Sequence, residues 1–127
     1  MSISLLSCEA NAQTRIVIST PSGQLNAELA DNPASAALVR MLPLTINMRD
    51  HLRQEKTGDL PSGLPEITRQ RDFRVGTLGL WGPDHFVIYY RNGQVPSPGI
   101  AILGRVTGDV SILDRPGPVT VTVRQAR

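Results

Sequence analysis

The chain has 127 residues, a net charge of +2 and an apolar share of 40%, which suits one domain around a single core. No apolar run nears the roughly 18 residues that cross a membrane, and one Trp, two Tyr and two Phe are too few to stack single-stranded bases. Neither a membrane nor a nucleic-acid partner is expected, although all the basic residues except Lys56 are arginine.

Residues 1–14 read as an N-terminal tail before a domain spanning 15–124. Leu5-Leu6-Ser7-Cys8 matches a lipoprotein cleavage pattern and Ala10-Asn11-Ala12 a peptidase site. No basic segment precedes them and the apolar stretch is short, so a cytoplasmic protein is expected, with an exported form as the alternative if the start codon is mis-assigned. Arg15–Thr20 then reads as a strand, Pro21-Ser22-Gly23 as a turn and Gln24–Leu29 as the returning strand, with Leu25, Ala27 and Leu29 inward. Asp31 or Asn32 can cap a helix whose first turn admits Pro33. Ala34, Ala37, Leu38 and Met41 fall on one face of that helix, over about 33–41, and Pro43 ends it.

Leu44–Arg49 alternates again, with Leu44, Ile46 and Met48 on one side. Asp50 to Arg74 shows no strong period. Within it, Glu55–Pro65 reads as a stiff, exposed, polar loop, and Leu60, Leu64 and Ile67 supply the apolar side chains that can fold beneath it. Thr77–Trp81 is a short strand and Gly82-Pro83-Asp84 a turn. Phe86–Arg91 is apolar on both faces, which marks a central strand. A loop at Asn92–Gly99, a strand at Ile100–Val106, a helical turn before Leu113 and a last strand at Val119–Val123 complete the chain. The fold class is therefore mainly β: a closed antiparallel barrel of about eight strands with one main helix.

The Asp31-Asn32-Pro33 helix start, Leu42-Pro43-Leu44, Glu55-Lys56 with Gly58, Leu60-Pro61 and Leu64-Pro65 resemble a prokaryotic family of small cyclophilin-like barrels of unassigned biochemical role. Gly79-Leu80-Trp81 with Pro83, Phe86-Val87-Ile88-Tyr89-Tyr90 and Leu103-Gly104-Arg105-Val106 continue the likeness, which covers about residues 15–124. Thr77-Leu78-Gly79-Leu80 departs from it, since the family commonly has Gly-Asp ahead of that strand. Ile102–Gly108 also looks like the cyclophilin segment that leads into the last helix. The cyclophilin active site needs an Arg beside a Phe-x-x-Gln type strand, and Leu44–Arg49 offers Arg49 without those companions. The resemblance implies the barrel without its isomerase chemistry.

Candidate chemistry gathers in the 53–59 region. Arg53 or Lys56 could hold an anion, with Glu55 and Asp59 to orient it; the alternative is a set of solvated loop charges. Trp81 at a strand end either walls a pocket or plugs the barrel mouth. Tyr90 and Arg105 complete the candidate ligand-binding set. His85 beside Asp84 suits a turn cap better than an acid–base pair, because no nucleophile or second base is identifiable nearby. Arg69, Arg71, Arg74 and Arg91 could form a basic face, but Glu66 and Asp72 interrupt it. Lone Cys8 forms no intramolecular disulfide, and His51 and His85 lack ligand spacing, so no metal and no cofactor is expected. The leading reading is a barrel that binds a small molecule or short peptide. The alternatives are a peptidyl-prolyl isomerase, whose donor would be Arg49, Arg53 or Arg105, and a structural domain that self-associates as a homodimer.

Overall fold

A computed structural model of the chain describes residues 14–127; the tail and signal-like motifs over residues 1–13 lie outside the described residues. Its strands are β1 (Thr14–Thr20), β2 (Gly23–Leu29), β3 (Leu44–His51), β4 (Glu55–Asp59), β5 (Arg69–Gln70), β6 (Asp72–Phe73), β7 (Thr77–Trp81), β8 (His85–Tyr89), β9 (Gly93–Gln94), β10 (Ile100–Val106) and β11 (Val119–Gln125). One α-helix, α1 (Pro33–Met41), follows β2, and a short 3-10 helix spans Val110–Leu113. The sheet runs β2-β1-β11-β3-β4-β8-β7-β10, and β10 pairs back onto β2 to close an eight-stranded antiparallel barrel. Closure leaves these strands no free edge. It also brings β10 so close to β2 that a Cβ on Gly104 would collide with the carbonyl oxygen of Glu28.

Alternation explains the interior. Ile16 and Ile18, Leu25, Ala27 and Leu29, Ile46 and Met48, Phe86 and Ile88, and Val121 and Val123 belong to one buried cluster. Burying each large member contributes roughly 1.5–3 kcal/mol. The two barrel ends are closed differently. At one end α1 lays Ala34 and Leu38 on the core. Asn32 caps this helix, its Oδ1 accepting from the Ser35 N–H at 2.8 Å, and Asp31 does not. At the opposite end the 3-10 helix inserts Val110 and Leu113, and the segment after it crosses the opening.

The largest departure from the sequence reading is β4. Glu55–Asp59 is a strand between β3 and β8, not an exposed loop, and Glu55, Lys56 and Thr57 are buried. Its sequence carries no apolar alternation because the inward positions are Lys56 and Gly58. A Cβ on Gly58 would stand 2.6 Å from Ile46 Cγ2, so glycine is what lets the β3 side chains fill the barrel. Only the following stretch is irregular, and there Leu60 and Leu64 are buried with Ile67 packed alongside, as expected of a loop folded under itself. The strand Phe86–Arg91 is shorter, His85–Tyr89, but it is apolar on both faces. Its outer residues Val87 and Tyr89 join Phe73, Val95 and Ile100 in a second cluster, which the small β6–β9 ribbon covers from outside. Phe73 stacks on Tyr89 with ring centroids 3.8 Å apart.

Candidate functional site

Two neighbouring polar assemblies grow from β4, one on each face. The inner one begins with Lys56. Its register partner on β8 is Ile88, a core residue, so the lysine stem runs inside the barrel and the side chain is 1% exposed. The ammonium donates to Asp50 Oδ1 at 2.9 Å and to the carbonyl oxygens of Arg115 and Gly117 at 2.6 and 2.8 Å. All three of its donors are thus used. The Tyr90 hydroxyl donates to the same Asp50 oxygen at 2.5 Å and accepts from Arg53 Nη1 at 2.7 Å. Arg53 and Arg91 both reach Asp114 Oδ1, at 3.1 and 2.9 Å. Partial burial alone would raise the Asp50 carboxyl, but the hydrogen bonds from Tyr90 and Lys56 outweigh it and hold the group below its ordinary value. Burial and the bond to Asp50 push the Tyr90 phenol up to about 12. This assembly is a closed electrostatic cap that ties β3, β4 and the 114–117 crossing together.

The hairpin joining β3 to β4 serves that cap. Leu52 and Arg53 both take left-handed backbone angles, φ 56° and 53°, around a turn closed by Gln54 N–H to His51 O at 3.1 Å. Such angles cost about 1–2 kcal/mol per non-glycine residue, yet a two-residue hairpin demands them. The turn aims Arg53 at Tyr90 and leaves Leu52 75% exposed.

The outer assembly is a groove of about 510 Å³ on the barrel wall. Glu55 and Thr57 of β4 and Tyr89 of β8 form its floor, with Trp81, Val95 and Pro96 on one side and Arg49, His51 and Leu52 on the other. Tyr90 N–H donates to Gln54 O, which makes Glu55 and Tyr89 a non-hydrogen-bonded cross-strand pair with closely spaced side chains. Glu55 is 6% exposed, and Gln54 Nε2 donates to its Oε1 at 2.8 Å. Burial raises the Glu55 carboxyl above its ordinary value against that bond and the nearby His51. The Tyr89 side chain is fully buried, and its hydroxyl has no hydrogen-bond partner among the described residues. Burial and the Glu55 charge push its phenol far upward. A buried hydroxyl without a partner costs about 1–3 kcal/mol, so the groove keeps a polar group that the fold itself does not use.

A model of the cyclophilin-like family matches residues 18–124, most of the chain and nearly the whole barrel. The chain belongs to the cyclophilin-like family. Its fold is similar to the solution structure of the hypothetical protein AF2241 from Archaeoglobus fulgidus, with a TM-score of 0.73, 13% identity, and 91% of this chain and 97% of that one covered. At that identity the likeness concerns the fold alone. No curated protein matches.

The candidate residues separate into distinct places in this cyclophilin-like barrel. Lys56, Arg53 and Tyr90 meet in the inner cap, where the donors of Lys56 are already occupied; Lys56 is therefore a buried structural cation and not the exposed anion ligand of a loop. Glu55 and Trp81 meet in the groove. Asp59 lies at the far end of β4, paired with His85 Nδ1 at 2.8 Å. That cross-strand bond replaces the turn cap expected of His85, since Asp84 stands 3.8 Å away. Arg105 is on another side of the barrel, exposed and 3.7 Å from Glu28. The basic face dissolves as well. Arg69 binds Glu66 and the carbonyls of Leu80, Gly82 and Gly99, Arg71 binds the Val95 carbonyl, and Arg91 binds Asp114. The residues missed by the sequence reading are Tyr89, Thr57, Asp50 and Asp114. Only register could have revealed them, because Tyr89 reads as one more apolar residue in Phe86–Tyr90 and Asp50 as one more loop charge. Among the described residues no group of His, Cys, Asp and Glu side chains could hold a metal ion, and no helix is long and apolar enough to cross a membrane.

Proposed function

We propose that this protein is a binding module that takes a small molecule or short peptide in the groove on the outer barrel wall. The carrying observation is the lining of that groove, which combines the apolar side chains of Trp81, Val95 and Pro96 with the buried Glu55 carboxyl and with Tyr89, whose hydroxyl has no hydrogen-bond partner among the described residues. Ligand sites commonly combine an apolar lining with a few fixed polar groups, and the groove has that composition and a volume in the usual range. A cytoplasmic setting goes with this reading, supported by a single cysteine in the whole chain. The test is a screen of small molecules and proline-containing peptides by two-dimensional NMR. Saturable shifts of the Trp81 indole and of β4 and β8 amides are expected, and a screen that moves none of them at millimolar concentration would remove the basis of the proposal.

Prolyl isomerisation remains the enzymatic alternative because Arg49 lines the same groove. Arg53 is engaged in the cap and Arg105 lies elsewhere, so Arg49 is the arginine available to a bound imide. A protease-coupled assay on Ala-Pro peptides decides it: a rate equal to the spontaneous one ends the isomerase reading, and a rate lost in Arg49→Ala supports it.

A further inference from the structure

The groove holds two opposite charges that do not meet. Arg49, on β3, is exposed and takes part in no ion pair among the described residues. Glu55, on β4, is 6% exposed and unpaired as well, and its one side-chain hydrogen bond runs from Gln54 to Oε1. The second oxygen, Oε2, is not an enclosed atom. Among the described residues the Tyr89 hydroxyl alone is both buried and without a partner, so Oε2 keeps its contact with solvent, and Glu55 lines the groove. Arg49 stands opposite Thr57 in register, two positions from Glu55 along β4, which makes Arg49 and Glu55 diagonal neighbours about 7–8 Å apart. Both line the groove, across from Trp81, Val95 and Pro96. We propose that the groove binds a free α-amino acid with an apolar side chain, its carboxylate on Arg49 and its ammonium on Glu55.

Ligands with a single charge fit less well. A simple anion on Arg49 would face the Glu55 carboxylate, and a simple cation on Glu55 would face Arg49; like charges repel more strongly where water is thin. A zwitterion meets both at once. Its carboxylate suits the forked donors of a guanidinium, and its ammonium brings the counter-charge that Glu55 lacks. Burial raises the Glu55 carboxyl in spite of Gln54 and the nearby His51, so within the fold its charge is incompletely matched. The charges of an α-amino acid lie close together, and the long Arg49 arm can bring its guanidinium to them across the diagonal. The apolar side chain is left to Trp81, Val95 and Pro96. This inference rests on the binding reading above and adds the class of ligand.

Phenylalanine, 3-phenylpropionate and 2-phenylethylamine carry one ring with both charges, the anion alone and the cation alone. Trp81 is the only tryptophan of the chain, so its indole N–H resonance is a single reporter on the groove. Phenylalanine should shift that resonance saturably, and the two singly charged compounds should bind at least tenfold more weakly. Arg49→Ala should weaken phenylalanine at least fivefold while leaving phenylethylamine unchanged or tighter. Glu55→Gln should weaken phenylalanine at least fivefold while leaving phenylpropionate unchanged or tighter. This crossed pattern is one that a general loosening of the groove does not produce, and a thermal midpoint for each free variant checks that it is folded. Equal or tighter binding of either singly charged compound would overturn the amino-acid assignment and leave the groove a ligand site. Unchanged phenylalanine affinity in either variant would also overturn it. Silence from all three compounds would overturn it too, and the broader reading would then stand or fall by its own peptide and small-molecule screen.

Discussion

Two pairs of adjacent residues, Glu55 with Lys56 on β4 and Tyr89 at the end of β8 with Tyr90 just beyond it, point to opposite faces of the same barrel wall and have opposite fates. Inside, Lys56 and Tyr90 spend all their hydrogen-bonding capacity on Asp50, Arg53 and the carbonyls of the 114–117 crossing. Outside, Glu55 is only partly matched and Tyr89 not at all. Buried polar groups in a finished fold are nearly always satisfied. The inner set obeys that rule and reads as architecture. The outer set breaks it beside a groove, and the proposed binding function rests on that difference. Parity along one strand thus separates the satisfied set from the partly satisfied one.

The comparison breaks most visibly at Lys56. Lys56→Met removes the cation from a buried pair and leaves the Asp50 carboxylate and two carbonyls unmatched, which should cost about 3–5 kcal/mol in urea unfolding. Leu60→Ala tests the irregular stretch that follows β4 and folds onto the core. It should cost about 2–4 kcal/mol through lost burial and a cavity, without altering the inner cap.

The two carboxylates sharpen the contrast through pH. Asp50 is lowered in the folded state, so its contribution is complete above the unfolded value near 3.9 and disappears as pH falls through the lower folded value. Glu55 is raised. Its protonated form is the favoured one in the fold, and stability is lost as pH climbs from the unfolded value near 4.3 through the raised folded value. Asp50→Asn should therefore destabilise at pH 7, and the difference from wild type should shrink as pH falls through the lowered folded value, where the wild-type carboxylate takes up its proton. Glu55→Gln should instead stabilise at pH 7, and that gain should fade as pH falls toward the unfolded value near 4.3. Urea midpoints measured from pH 3 to pH 8 check both signs. Smallest of all, Arg105→Ala should shift stability by under about 0.5 kcal/mol, as exposed ion pairs usually do.

Much of the architecture was legible in the residues, because the barrel depends on period-two alternation. Leu25, Ala27 and Leu29, then Ile46 and Met48, then Val121 and Val123 announce their own facing, and Asn32-Pro33 announces the helix. β4 was illegible for a physical reason. A strand whose inward positions are a lysine and a glycine has no apolar period, and Glu-Lys-Thr-Gly-Asp followed by Leu60-Pro61 has the composition of a loop. Its burial depends on partners distant in sequence, Asp50 and the Arg115 and Gly117 carbonyls, that make Lys56 tolerable inside. The site was half visible for the same reason. Glu55 and Trp81 stand out by type, whereas Tyr89 becomes a site residue only once β4 and β8 are in register and Phe73 has covered its ring.

Paired tyrosine-to-phenylalanine substitutions at Tyr89 and Tyr90 test the division most directly. Each removes one hydroxyl from neighbouring positions and leaves the ring in place. In urea unfolding at neutral pH, Tyr90→Phe should lose about 1–3 kcal/mol, because Asp50 and Arg53 lose their shared partner. Tyr89→Phe should gain up to about 1 kcal/mol by removing a buried hydroxyl that bonds to nothing. Two losses of similar size would mean that Tyr89 has a structural partner after all, and the groove floor would then belong to the scaffold.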